Sequence, residues 1–251
     1  MTEATYGMAL KFPGVKFIAI DQAIFKDEKH PDWPLPNLVN ITYNEDQSGF
    51  LVGALAARMS NSHRIGAVCG TSAVPPVWRF GEGYRSGAAF ADKKFGMKTM
   101  VTVIYHDDVG FDITFNDPEW GAEIARKLIA DGADVIFGCG AKTGNGAVIA
   151  TAQQGLYAIG VDVDQYYTLP EAAPRLLSSA IKPTTEPVAH LIRLAKQGQF
   201  PANGFLYGPP GYAPYHDLAG KVPPDVEEMM QGILAGFLKG TLNTGVSPAK
   251  P

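Results

Sequence analysis

With 251 residues the chain is long enough for one large domain or for two smaller lobes. Its charged fraction of 18% and net charge of −4, with no Lys/Arg cluster, argue against nucleic acid and anionic membrane as partners. Apolar runs stay shorter than a membrane span requires, and the opening MTEATYGMALKFPG has neither the basic nor the apolar region of a signal peptide.

Along the chain, β-rich runs alternate with helical patterns. Residues 15–21 (VKFIAID) read as a buried strand after Pro13-Gly14, and 22–40, with three prolines and many charges, as a long loop. A short strand at 41–43 precedes a helix at 45–59, where Phe50, Leu51, Ala54, Leu55 and Arg58 fall at helical spacing. Strands follow at 64–70, 98–105, 133–137, 157–161 and 175–181. Helices separate them at 77–95, 117–131 (Pro118 in its first turn), 143–154 and around Tyr167. A last helix is read at 186–197, stopped by Gly198, and the tail after Gly240 is expected to fray. Such alternation predicts βαβ units and a parallel sheet.

Four loops directly follow apolar strands: 106–118 (HDDVGFDITFNDP), 138–146 (GCGAKTGNG), 160–167 (GVDVDQYY) and 178–183 (SSAIKP). Open α/β sheets bind ligands at the carboxyl ends of their strands, so these loops describe one side of a small-molecule pocket. GCGAKTG is no P-loop, because Ala141 stands before Lys142 where glycine is required, and it lacks a clean dinucleotide fingerprint. Its glycines permit either close approach of backbone amides to a ligand or a simple tight strand-to-helix turn.

Catalytic and metal chemistry find little support. The histidines (30, 63, 106, 190 and 216) are scattered, no G-x-S-x-G elbow occurs, and no nucleophile can be named. His106-Asp107-Asp108 reads as a solvated loop more readily than as a metal site. Cys69 and Cys139 read as small buried hydrophobes. No cofactor and no enzymatic activity are expected.

Six segments in order carry a resemblance: 43–57 (YNEDQSGFLVGALAA), 75–90 (PPVWRFGEGYRSGAAF), 115–121 (FNDPEWG), 133–147 (ADVIFGCGAKTGNGA), 160–165 (GVDVDQ) and 178–182 (SSAIK). Together they resemble the basic membrane protein, or PnrA-like, family of ABC-transporter substrate-binding lipoproteins, which includes purine nucleoside receptors. The resemblance implies an α/β, type I periplasmic-binding-protein-like fold: two parallel-sheet lobes, a ligand cleft, and a first lobe that is incomplete. It places the first lobe at 1–58 and 183–240, the second at 59–182, and a flexible tail at 241–251. It implies a non-catalytic binder that delivers a purine nucleoside to an ABC permease, in a periplasmic or cell-surface, membrane-anchored setting.

Position by position, the resemblance makes Phe115 the aromatic that stacks on the base. It makes Asp162 the acceptor of ribose hydroxyls, Lys182 a ribose donor and partner of Asp162, and Gly140 the point of close backbone approach. Asp21 is a further strand-end acid. Without the resemblance, the alternatives are Phe115 as a core residue, Asp162 as a turn or N-cap, and Lys182 as an exposed lysine before Pro183. The chain departs from the family at Ala141, where members carry glycine, and in an apparent insertion at 107–111. Family members also carry further strand–helix units ahead of 9–21. A sheet lacking them would expose an edge and apolar surface, so a homo-oligomer is expected. The alternative is a shortened homologue acting as an oligomeric structural or regulatory domain.

Overall fold

The structure, a computed structural model, describes residues 2–201 and 204–251. In chain order it contains α1 (Thr2–Lys11), β1 (Phe17–Ile20), β2 (Leu38–Tyr43), α2 (Glu45–Met59), β3 (Arg64–Cys69) and α3 (Pro75–Phe95). There follow β4 (Met100–Tyr105), α4 (Pro118–Ala130), β5 (Val135–Cys139), α5 (Ala141–Gln153), β6 (Tyr157–Asp162) and α6 (Gln165–Thr168). The last elements are β7 (Leu176–Ile181), α7 (Thr185–Lys196), β8 (Phe205–Gly208), β9 (Gly211–Tyr212) and α8 (Pro224–Leu238). The chain divides into two compact units, one of residues up to Asn44 with Lys182–Pro209, the other of Glu45–Ile181 with Pro210–Pro251.

The larger unit holds a six-stranded sheet in the order β4-β3-β5-β6-β7-β9, parallel except for β9. β5 is apolar and fully buried and β7 is buried almost throughout, with Ser178 and Ser179 at its centre, as in strands covered on both faces. Ile65, Ala67, Val135 and Phe137 point into one core with residues of α2, α3 and α8, while Val68 and Ile136 share another with α4 and α5. The β4 edge alternates, and its Met100 is exposed. α3 and α4 start with proline in the first turn; α4 is capped by the Asp117 side chain, which accepts from the Trp120 N–H at 3.0 Å.

α2 and α3 meet backbone to backbone. A methyl added at Gly53 would lie 2.0 Å from the Tyr84 carbonyl oxygen, and one at Gly87 would lie 1.9 Å from that of Phe50. Burial within the larger unit assigns it α2 and the stretch 210–240, two segments that the sequence reading had placed in the first lobe. The reason is packing: Phe50 and Leu51 of α2 and Met229, Met230 and Ile233 of α8 share one apolar cluster with β3 and β5.

The tail after Gly240 is held rather than frayed. Ser86 Oγ donates to the Thr244 carbonyl at 2.6 Å, Arg79 to the Pro248 carbonyl at 3.2 Å, and Lys250 Nζ to Ser72 Oγ at 2.9 Å. Thr244 Oγ1 also bonds the Asp46 carboxylate. These are polar contacts to a segment without apolar periodicity, so the sequence pattern gave no sign of them.

The smaller unit is built on a three-stranded parallel sheet, β1-β2-β8. The loop between β1 and β2 folds onto α1, an element the sequence reading left unassigned. There buried Asn37 donates through Nδ2 to the carbonyls of Ala9, Phe12 and Val15, and Tyr6, Ile24, Trp33 and Leu35 form a cluster. Met8, Leu10, Phe12, Val15, Ile20 and Phe25 are exposed.

Candidate functional site

The loops after β4, β5 and β6 leave the carboxyl ends of parallel strands of the larger sheet, on both sides of β3. Phe115, in the loop after β4, lies on the backbone at the end of β3. A methyl at Gly70 would sit 2.5 Å from its Cε1. Its carbonyl accepts from the Lys142 N–H at 3.1 Å, which ties it to the start of α5. The ring is half-buried. Phe111, 67% exposed, stands against it in a T-shaped contact at 5.7 Å. The sequence reading placed Phe111 in the 106–118 pocket loop and in the apparent insertion but did not single it out; an aromatic four residues before FNDP was the available signal.

The loop that carries Phe115 is pinned from beneath. His106 is buried and stacked on Trp120 at 3.8 Å. Its Nδ1 lies 2.7 Å from Asp108 Oδ1, and its Nε2 3.4 Å from Asp117 Oδ2. Thr114 Oγ1 donates to the His106 carbonyl at 2.8 Å, and the Asp117 N–H donates to Thr143 Oγ1 at 2.9 Å. Asp107 turns the other way and accepts from Thr71 Oγ1, the Ser72 N–H and Ser72 Oγ at 2.8, 2.8 and 2.5 Å. Burial works to raise the Asp107 pKa, but these hydrogen bonds and Lys250 outweigh it and hold the carboxyl below its ordinary value. Asp107 and Asp108 are exposed to solvent while His106 beneath them is buried, and among the described residues no group of three His, Cys, Asp or Glu could hold a metal ion. Cys69 and Cys139 are buried and in register on β3 and β5.

Gly140 forms the turn into α5. A methyl there would meet the Gly70 amide nitrogen at 2.4 Å, so the close approach of the two strand ends requires glycine. Three of the non-glycine residues with positive φ fall on the expected site or beside it: Asp21 at 55°, Ala141 at 48° and Asp162 at 67°. Such conformations cost about 1–3 kcal/mol each and cluster at functional positions, although Asp tolerates them better than most residues. Asp162 ends β6 with an exposed carboxylate. The loop behind it is fixed by buried Gln165, which accepts from the Val161 N–H at 3.1 Å and donates to Asn145 Oδ1 at 2.8 Å.

In the smaller unit Asp21 follows β1, and its N–H donates to the Ile41 carbonyl at 2.9 Å. Its carboxylate accepts from Lys182 Nζ at 2.8 Å, and that ammonium also lies 5.9 Å from the Tyr43 ring centre. The Lys182 side chain is only 9% exposed, so its charge is held in place rather than waving in solvent. The structure thus groups Phe115, Gly140 and Asp162 along the strand ends of the larger unit, and Asp21 with Lys182 in the smaller one.

The larger unit carries a row of strand-end loops on a parallel sheet, the arrangement of an open α/β fold. Solved structures agree on the fold. A solute-binding protein of an ABC transporter system from Aeropyrum pernix superposes with a TM-score of 0.75 at 20% identity, over 96% of this chain and 74% of that one. A periplasmic solute-binding protein from Actinobacillus succinogenes, solved with D-allose, gives 0.58 at 15% identity over 88% and 74%. The fold is type I periplasmic-binding-protein-like. The chain belongs to the Bmp family of PnrA-like ABC transporter substrate-binding proteins, whose profile residues 1–207 match. Basic membrane protein A2 of Borrelia garinii is 32% identical over 72% of this chain and 49% of its own length. For basic membrane protein A of Borreliella burgdorferi the figures are 30%, 80% and 53%. The chain spans about half the length of these curated relatives. No helix among the described residues is long and apolar enough to cross a membrane.

Proposed function

We propose that this protein binds a purine nucleoside for an ABC importer, with no chemical step of its own. The observation that carries the reading is the Phe115 ring, supported on Gly70 and locked to α5 at the strand ends, with the exposed, αL Asp162 on the same edge. A purine offers a π-face to such a ring, and base–aromatic stacking contributes about 1–3 kcal/mol. A ribose offers hydroxyls to Asp162, and charge-assisted hydrogen bonds of that kind are the stronger class. Gly140 lets backbone approach the sugar. Within the smaller unit, the Asp21–Lys182 pair is a fixed donor and acceptor. A permease partner and an exported, membrane-anchored setting follow from the family. The lobe boundaries first read as 1–58 with 183–240, and 59–182, are redrawn in this proposal at 44/45, 181/182 and 209/210. The exposed apolar residues of the smaller unit and its edge strand β1 support self-association. Titration calorimetry with inosine, guanosine, adenosine and cytidine tests the reading. Saturable purine binding that weakens at least tenfold in Phe115→Ala supports it, and equal affinity in that variant overturns it.

A further inference from the structure

The Phe115 ring has a companion on its own loop. Residues 110–116 close in successive turns. The N–H groups of Ile113 and Thr114 both donate to the Gly110 carbonyl, at 2.9 and 3.2 Å, and the Asn116 N–H donates to the Ile113 carbonyl at 2.7 Å. Asn116 Nδ2 adds a bond to the Asp112 carbonyl at 3.1 Å. Buried Thr114 ties these turns to the end of β4 through the His106 carbonyl, 2.8 Å from its Oγ1. Phe111 is thereby held against Phe115, with ring centres 5.7 Å apart and planes at 72°.

The two rings stand in different surroundings. Phe115 packs against the main apolar cluster of the larger unit, whereas Phe111 belongs to none of that unit's clusters and is 67% exposed. Val109 and Ile113 on the same loop are exposed as well. A lone exposed apolar side chain is ordinary. An exposed ring that hydrogen-bonded turns hold against an aromatic at the strand ends is an apolar contact surface presented to a ligand. A planar base laid flat on Phe115 lies at the same steep angle to Phe111, so those two meet edge to face, an arrangement that aromatic pairs favour. Every base offers a π-face to Phe115, which therefore does not choose between them. A fused two-ring base is longer than a one-ring base and extends further past the ring it is stacked on.

We propose that Phe111 is a specificity-determining residue of the nucleoside site, giving an edge-to-face contact to a two-ring base that a one-ring base is too short to make. The inference rests on the reading of Phe115 as the stacking ring. Phe115 then supplies affinity for any nucleoside, and Phe111 supplies the preference for purine over pyrimidine. That preference comes from one loop of the larger unit and needs no hydrogen bond to the base.

The test is calorimetric titration of inosine and cytidine into the full chain and into Phe111→Ala, Phe111→Tyr and Phe115→Ala. Phe111→Ala should weaken inosine binding about fivefold or more, the effect of losing one aromatic edge contact. Cytidine binding, however weak, should be the same as in the unaltered chain. The melting temperature should also stay unchanged, because the ring lies outside the core, and Phe111→Tyr should keep the inosine affinity. Undiminished inosine binding in Phe111→Ala, or an equal loss for both nucleosides, would overturn the proposal. If Phe115→Ala weakens inosine and Phe111→Ala does not, this inference fails while the reading of Phe115 stands. If the unaltered chain binds no nucleoside, both fail.

Discussion

The two units solve the same local problem with different amounts of support. Each ends a parallel strand in an aspartate with αL backbone, Asp21 after β1 and Asp162 on β6. Around Asp162 the larger unit supplies a six-stranded sheet, a buried glutamine bracing the loop, and helices packed backbone to backbone. Around Asp21 the smaller unit supplies three strands, several exposed apolar side chains and an ion pair with Lys182. Strain held by a stiff frame presents a carboxylate in one fixed direction. Strain held by a light frame depends on its partner charge.

The largest effect is expected where the stiff frame is tightest. Gly53→Val drives a side chain into the Tyr84 backbone 2.0 Å from its Cβ. It should cost about 3 kcal/mol or more in a denaturant melt, because overpacking a close helix contact has no soft neighbour to displace. Next comes Phe115→Ala, which removes a stacking surface at little cost to the sheet. Affinity for purine nucleosides should fall about 10- to 100-fold, from the 1–3 kcal/mol of a stacked base, with an unchanged melting temperature.

The two aspartates separate the frames directly. Asp162→Asn keeps αL tolerance and shape, so it should weaken ribose recognition without unfolding the larger unit. Asp21→Asn removes one charged partner of a lysine whose side chain is 9% exposed, so it should loosen the smaller unit. Hydrogen exchange in β1 and β2, compared between the two variants, reads the difference. If both variants leave exchange unchanged, the contrast between the frames is wrong.

A smaller, pH-dependent effect belongs to the tail. The Asp107 carboxyl titrates below its ordinary value when folded, so its contribution is complete above the ordinary carboxylate range and is lost as pH falls through the folded value. Acidification should therefore release Lys250 and the Ser72 loop, and Asp107→Asn should flatten that part of the stability profile. The smallest change expected is a gain. Ala141 sits at φ 48°, and Ala141→Gly should add about 0.5–1 kcal/mol of stability by relieving it.

Much of the larger unit was legible because its strands are covered on both faces. β5 therefore reads as an unbroken apolar run and β3, β6 and β7 as largely apolar ones, and Pro118 announced α4. Phe115, Gly140 and Asp162 stood out because they follow those runs directly. What stayed hidden depends on contacts distant in sequence. Gly70 matters because a ring from the next loop lies on it, and Lys182 because Asp21 meets it from 161 residues away. α1 buries only Tyr6 and Ala9, too little for a visible stripe. The tail docks through carbonyls and hydroxyls, which leave no periodic signal. The positive φ of Ala141 breaks a local rule for a β-carbon residue, and no residue pattern announces it.

The central claim is tested most directly by titrating inosine into the refolded, ligand-stripped chain and into Phe115→Ala. The account predicts saturable heat in the first and an affinity at least tenfold weaker in the second, with both proteins melting alike. Equal binding by the two proteins, or no heat from any purine nucleoside in the unaltered chain, would contradict it.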